Sequence, residues 1–215
     1  MSAKRTNYPA SLEIDYPKQL NRWTTFFRIV LVIPIFIIFA ILTASGGGSE
    51  YSEEAGKVMS EGGGGILAAL FLATVLMILF RQKYPRWWFD FNLELNRFAT
   101  RIETYLLFAT DRYPSTDEAQ AVHLDAVYPN VKKDLNRYLP LVKWLLAIPH
   151  YVVLFFLTIG LVFTTVVAWF AILFTGRYPR SLFDYYVGVT RWGWRVTAYA
   201  FLLTTDKYPP FSLDK

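Results

Sequence analysis

The chain has 215 residues, of which 54% are hydrophobic and 18% aromatic, and its formal net charge is +5. The apolar residues form long uncharged runs at 29–44, 66–80 and, with His150 neutral, 144–176. Such runs are typical of membrane segments and argue against a soluble protein. Cysteine is absent, which excludes disulfide bonds, thiolate metal sites and thiol nucleophiles.

Residues 26–80 are predicted to form a transmembrane helical hairpin around a polar loop at 45–65. The first 25 residues contain no apolar stretch and no small-residue cleavage site, so we expect the first membrane segment to be retained. The loop carries four Glu against one Lys, whereas Lys and Arg cluster beside both arms. The positive-inside rule therefore predicts an extracytoplasmic loop and cytoplasmic termini.

Four motifs occur twice in the same order, which indicates an internal repeat. They are Leu20-Asn21-Arg22-Trp23 with Leu135-Asn136-Arg137-Tyr138, Ile33-Pro34 with Ile148-Pro149, Lys83-Tyr84-Pro85-Arg86 with Arg177-Tyr178-Pro179-Arg180, and Thr110-Asp111-Arg112-Tyr113-Pro114 with Thr205-Asp206-Lys207-Tyr208-Pro209. The offset falls from 115 to 94 between the second and third motifs, and the difference of 21 is the length of the loop. Residues 1–114 and 115–215 are therefore predicted to be two copies, the second without the loop.

The second copy is predicted to contain a hairpin over residues 141–175. A single helix over residues 144–176 would be about 50 Å long, which exceeds the ~30 Å hydrocarbon core of a bilayer. Alignment with the first copy instead places a turn near residues 158–160. The predicted fold is an all-α membrane protein with two tandem transmembrane helical hairpins.

Each hairpin is followed by a predicted amphipathic helix, over residues 86–108 and 180–203, that lies in the membrane interface. The alternative is an ordinary amphipathic helix packed on protein. Interfacial anchors are predicted at Trp23, Trp87, Trp88, Trp144, Trp192 and Trp194. Alternating apolar and polar residues at 12–17 and 124–129 also predict minor short β segments on the cytoplasmic side.

Four arginines at matched positions of the two amphipathic helices are candidates for binding lipid head groups. They are Arg97, Arg101, Arg191 and Arg195. The planar guanidinium fork suits phosphate, and basic pockets at the cytoplasmic interface bind anionic head groups. The alternative is an internal ion-pair ladder with Asp90, Glu94 and Asp184, and both interpretations stay open here.

Motifs for catalysis or cofactor binding are not found. The two histidines belong to different environments and make a poor metal site, no Gly-rich phosphate loop is present, and no Ser–His–Asp grouping is supported. No Asp, Glu, Lys or Arg lies deep in the apolar runs, which disfavours a pump or a coupled transporter. We therefore expect no catalytic residues, metal, cofactor or nucleic-acid partner.

The repeated Leu-Asn-Arg-aromatic, Ile-Pro, Arg/Lys-Tyr-Pro-Arg and Thr-Asp-Arg/Lys-Tyr-Pro motifs resemble a family of small bacterial membrane proteins classed as a domain of unknown function. The resemblance implies a multi-pass protein of the bacterial inner membrane with tandem hairpins, and no activity. The expected function is a non-enzymatic scaffold or accessory subunit of a larger membrane complex, with other membrane subunits as partners. The alternatives are an anionic-phospholipid-binding or lipid-handling protein, a passive pore and, less favoured, an enzyme.

Overall fold

The computed structural model describes residues 8–43, 65–116, 118 and 120–214, so the predicted loop at 45–65 lies outside the described residues apart from Gly65. The strands are β1 (Ala10–Ile14) and β2 (Val122–Ala126), and the helices are α1 (Arg22–Leu31), α2 (Ile33–Thr43), α3 (Gly65–Leu76) with a π-helical turn (Met77–Arg81), α4 (Arg86–Leu106), α5 (Val131–Asp134), a 3₁₀ turn (Leu139–Leu141), α6 (Lys143–Leu146), α7 (Ile148–Thr175) and α8 (Arg180–Ala200). The mostly helical fold and the small two-stranded sheet agree with prediction.

The two strands pair antiparallel, and their register reveals how the copies are related. Leu12 lies directly opposite Leu124, and these two residues occupy corresponding positions in the two copies. Two matching antiparallel strands with equivalent residues opposite each other are related by a local twofold axis between them. The sheet therefore joins the copies around a pseudo-twofold axis.

Each strand packs on the amphipathic helix of the other copy, so that β1 lies against α8 and β2 lies against α4. Arg191 in α8 donates from Nε to the carbonyl oxygen of Leu12 in β1 at 2.9 Å, and Arg97 in α4 donates from Nε to that of Leu124 in β2 at 2.7 Å. The Tyr-Pro corners cross in the same way, because the Tyr16 hydroxyl donates to the Tyr178 carbonyl and the Tyr128 hydroxyl donates to the Tyr84 carbonyl. This exchange interlocks the copies, so neither buries its core alone.

The prediction of a second hairpin is wrong, because residues 148–175 form one continuous helix. Pro149 lies in its first turn and Gly176 ends it with φ 72°, which are favoured positions for the two residue types. Gly160, where the turn was expected, is helical and allows close approach of Tyr185, whose hydroxyl would lie 2.7 Å from an added Cβ. The second copy has no inserted polar loop. Its apolar segment therefore continues as a helix, in which the backbone N–H and C=O groups hydrogen-bond to each other.

In the first copy, α2 contacts α3, but the residues between them lie outside the described part of the chain, so the first hairpin stays a prediction. Two helices, Arg22–Ile41 and Ile148–Thr175, are long and apolar enough to cross a membrane, while Leu67–Arg81 is a shorter apolar helix. Only 17% of the most apolar window of α7 is buried. The core helix of a soluble protein would be mostly buried, so this exposure favours contact with lipid.

The second amphipathic helix is a core helix rather than an exposed interfacial one. Most of α8 is buried, including Gly188, Arg191, Arg195 and Tyr199 of its predicted polar stripe, whereas Asp184 of the same stripe is exposed. β1 and the C-terminal segment lie against this stripe, as shown by hydrogen bonds from Arg191 to Leu12 and Leu213. The sequence pattern identified two faces of the helix correctly, but in α8 both faces are covered by protein.

Substituting Gly188 with alanine should destabilise the fold by about 1–3 kcal/mol, the usual cost of overpacking. An added Cβ would lie 2.9 Å from Cβ and 3.3 Å from the carbonyl oxygen of Leu213. Gly193→Ala in the same helix is the matched control, because nothing lies within 4 Å of its added Cβ. The control should be neutral or stabilising by up to ~1 kcal/mol. Thermal unfolding in detergent measures both, and equal stability of the two variants would contradict this packing.

Candidate functional site

The four candidate arginines are each bound to protein oxygen atoms. In α4, Arg97 donates to the Leu124 carbonyl and forms ion pairs with Glu94 and Asp125. Arg101 is buried and donates to the Ser115 carbonyl at 2.8 Å. Both side chains therefore stabilise the approach of α4 to β2 and to the segment that follows α4.

The α8 pair is enclosed more completely. Arg191 and Arg195 are both buried, and Arg195 donates to the carbonyl oxygens of Ser212 at 3.3 Å and Asp214 at 2.5 Å. Together with the contacts of Arg191, these bonds fasten the C-terminal segment to α8. The expected ladder with Glu94 is present for Arg97, whereas Asp90 and Asp184 instead pair with Arg86 and Arg180. A lipid role for the four residues remains a prediction.

A buried ion-pair cluster in the first copy brings two of its repeated motifs into contact. Arg28, with no exposed surface, pairs with Asp111 and donates to the Thr110 carbonyl at 2.8 Å. The other carboxylate oxygen of Asp111 accepts from the backbone N–H of Asn21 at 2.6 Å. Asn21 also caps α1 through its side chain. The cluster thus fastens the start of α1 to the chain after α4.

The second copy contains the equivalent cluster with lysine in place of arginine. Lys143 is fully buried and its Nζ lies 2.7 Å from Oδ1 of Asp206 and 2.8 Å from the Thr205 carbonyl oxygen. Asn136 donates its backbone N–H to Asp206 at 2.5 Å. Burial lowers the pKa of Lys143, and the hydrogen bond and charge of Asp206 oppose that shift. The two clusters explain why these motifs recur in order.

The predicted tryptophan anchors divide into two groups. Trp23, Trp87 and Trp144 are exposed and Trp88 is partly buried, positions that are compatible with an interfacial role. Trp192 and Trp194 are only 5% exposed. Their indole N–H groups donate to His150 Nδ1 at 3.0 Å and to the Asp125 carbonyl oxygen at 3.1 Å. These two side chains belong to the protein core, which corrects their assignment as membrane anchors.

A large exposed apolar surface lies on α7. Its buried side chains His150, Leu161, Ala168 and Ile172 form one narrow stripe. The rest of the helix circumference exposes large apolar side chains, which include Val152, Phe155, Phe156, Ile159, Val162, Phe163, Val166, Val167, Phe170 and Phe174. We call these ten residues the α7 apolar surface. Its area and composition favour contact with lipid or another apolar protein surface.

One polar cluster was not anticipated from the sequence. Thr190 in α8 donates to Glu103 in α4 at 3.1 Å, and Thr104 lies within hydrogen-bonding distance of the fully buried Tyr186 hydroxyl at 2.9 Å. Glu103 lies in the predicted amphipathic helix over residues 86–108, and the packing of α4 near α8 leaves it partly buried. In the part of the chain that the structure describes, no group of three or more His, Asp or Glu side chains could hold a metal.

Comparison with known proteins gives a match to a family that carries no assigned function. No curated protein and no solved structure matches the chain. Residues 140–212 contain both partners of the second ion-pair cluster, the whole of α7 and the whole of α8. Those residues match the family described as Domain of unknown function (DUF4389), to which this part of the chain is similar.

Proposed function

We propose that the protein is a non-enzymatic integral scaffold or accessory subunit of a larger complex in the bacterial inner membrane. The observation that carries this proposal is that several charged groups of the protein are used in internal contacts, whereas a large apolar surface stays exposed. The candidate arginines and the paired clusters bind other parts of the same chain. The α7 apolar surface is left outside, where it contacts lipid and, on part of its area, another membrane subunit.

The chain termini lie together in this proposal, and the positive-inside rule assigns them to the cytoplasm. Tyr8 donates from its hydroxyl to the Lys207 carbonyl at 3.1 Å, and Arg191 joins Leu12 to Leu213. Segments in direct contact lie on one side of a membrane.

Both ends of α7 contact this same body. The Tyr208 hydroxyl donates to the Leu146 carbonyl just before α7, and the Leu20 N–H donates to the Gly176 carbonyl at its end. At 1.5 Å per residue the helix is about 42 Å long, longer than the ~30 Å hydrocarbon core. Because both ends contact the same cytoplasmic body, in the proposed topology α7 lies obliquely along the membrane beside α1 rather than across it, with its apolar surface in contact with lipid.

We expect the polar loop at 45–65 to be extracytoplasmic and both termini to be cytoplasmic. The basis is the acidic loop set against basic residues beside the arms. A cysteine introduced at Ser52 should react with an impermeant thiol reagent in cells whose outer membrane has been opened, and a cysteine at Ser2 should not. The protein has no native cysteine that would confuse the result. Labelling at Ser2 alone would reverse the topology.

Site-specific photocrosslinking tests the scaffold proposal. A photoreactive residue replaces Phe163 or Phe170, which are 69% and 49% exposed on α7, in cells that express the protein at its native level. A partner subunit should give a discrete crosslinked protein band from one of these positions. The control position is Arg86, which is exposed at the start of α4 and forms an ion pair with Asp90. Crosslinks to lipid alone at both α7 positions would reject the proposal.

A second candidate function, the binding of anionic phospholipid, is favoured by a basic pocket. The pocket has a volume of about 610 Å³ and is lined by Gln82, Lys83, Asn130 and Lys132, among others, where the π-helical turn ends. Neither lysine forms an ion pair within the described residues. Lysines beside a membrane segment can bind phosphate head groups. This pocket is a better lipid site than the four arginines, which are each bound to oxygen atoms of the same chain.

A further inference from the structure

A cavity of about 420 Å³ lies among α4, α7 and α8, a volume within the usual range for small-molecule sites. Four of its lining residues form two equivalent pairs across the copies, because Asn96 corresponds to Thr190 and Glu103 corresponds to Thr197. The cavity is therefore built by matching positions of the two copies. Of these four residues only Glu103, from the first copy, is charged, so the two copies line the cavity asymmetrically.

Glu103 has no cationic neighbour in this cavity. No Lys, Arg or His is among the described residues that line it, and the Glu103 carboxylate accepts from Thr190 Oγ1 at 3.1 Å. Burial raises the pKa of Glu103, and the Thr190 hydrogen bond opposes that shift. A partly buried carboxylate is stabilised by a cation or by several hydrogen-bond donors, and the described residues supply one donor, Thr190.

The remaining walls suit an ammonium group attached to an apolar chain. Tyr151, Trp194 and Phe201 line the cavity, and aromatic faces attract cations. A second cavity of about 420 Å³ shares Asn96, Thr197 and Phe201 with the first and continues among Leu67, Phe71 and Leu202. A head group near Glu103 could therefore extend an apolar tail toward α3.

We infer that the cavity among α4, α7 and α8 binds an amphipathic ligand that carries a protonated amine, with Glu103 as the counter-ion and the aromatic and leucine walls around the tail. This inference is independent of the scaffold proposal, because it concerns an interior site and not the α7 apolar surface. The ammonium donates hydrogen bonds to the carboxylate oxygens of Glu103. An anionic or neutral head group would leave that carboxylate without a counter-ion.

Isothermal titration of octylammonium chloride into the protein in phosphatidylcholine nanodiscs tests this site, with empty nanodiscs subtracted. Octylammonium should bind at least about tenfold more tightly than 1-octanol, since hydrogen bonds to charged groups contribute roughly 1.5–3 kcal/mol. Glu103→Gln keeps the side-chain shape and should remove that preference. Glu94→Gln is the matched control, because Glu94 lies on the same helix but is exposed, and it should leave octylammonium affinity unchanged.

A second variant keeps the test decisive if Glu103→Gln does not fold. Gly193 lines the cavity and has open space around its added Cβ, so Gly193→Leu should fill the cavity and abolish binding of both probes. Nanodiscs that contain phosphatidylethanolamine separate two sources of the amine. Weaker octylammonium binding in them identifies the aminophospholipid head group as occupant, and unchanged binding identifies a free amine. Equal affinity for octanol and octylammonium, wild-type affinity in Glu103→Gln, or retained binding in Gly193→Leu would overturn the inference.

Discussion

Replacing Asp111 with alanine should lower the free energy of unfolding by roughly 3 kcal/mol, because it leaves the buried Arg28 without its counter-ion. Arg28 has no exposed side-chain surface, whereas Asp111 is 30% exposed. The partial exposure of Asp111 places the expected cost near the lower end of the range for buried pairs. The substitution also removes the acceptor for the Asn21 N–H, which loosens the start of α1. Chemical unfolding in detergent, followed by tryptophan fluorescence, measures the effect.

Two further variants test whether burial causes this cost. Asp206→Ala removes the equivalent carboxylate from the fully buried Lys143 and should have an effect of similar size. Asp90→Ala breaks an exposed pair with Arg86, whose side chains are 48% and 65% exposed, and should cost only about 0–1 kcal/mol. A cost for Asp90→Ala equal to that for Asp111→Ala would show that the clusters have no special role.

The two ion-pair clusters also show how much of the structure the internal sequence repeat could predict. Recurrence of Asn21 with Asn136 and of Asp111 with Asp206 marked these residues before any contact was known. Sequence alone did not show that each Asn lies against the Asp of its own copy, because about 70 to 90 residues separate them. Helix and strand positions were predicted well, since hydrophobic periodicity and Tyr-Pro corners are local signals. The contacts between the copies are long-range and left no such signal.

The wrong prediction of a turn within α7 has a different cause. The alignment of the copies predicts an insertion at residues 45–65, and it also suggests a turn in the copy that lacks the insertion. Gly160 supported that turn only weakly, because glycine inside an apolar helix can also permit close packing. In the structure it lies against Tyr185, whose hydroxyl donates to the Leu157 carbonyl at 2.8 Å.

The position of Glu103 could not be predicted for a similar reason. In sequence it is one polar residue of an amphipathic helix. Its environment depends on the packing of α4 and α8 around the pseudo-twofold axis, which places Thr190 and Tyr186 nearby. The charge pattern of a helix identifies a polar face, whereas tertiary contacts decide whether that face meets water, lipid or protein.

Reversing the charges of Arg97 and Arg101 together should destabilise the fold by several kcal/mol. Arg101→Glu would place a carboxylate against the Ser115 carbonyl in a buried site, where an unpaired charge is strongly unfavourable. Arg97→Glu would set a third acid beside Glu94 and Asp125. We expect a large fall in the unfolding temperature and no specific loss of anionic lipid from the molecules that remain folded. A thermal melt and native mass spectrometry with phosphatidylglycerol measure the two quantities.

The matched variant is charge reversal of Lys83 and Lys132, which line the basic pocket and carry no ion pair within the described residues. This variant should keep the wild-type unfolding temperature and lose phosphatidylglycerol, since each basic residue near an anionic surface contributes on the order of 1 kcal/mol. The two variants make the same total change in charge, so a difference between them reflects where the charges lie. Loss of lipid with an unchanged melt in the arginine variant would instead assign head-group binding to the arginine stripes, and would favour the lipid-binding function over the scaffold.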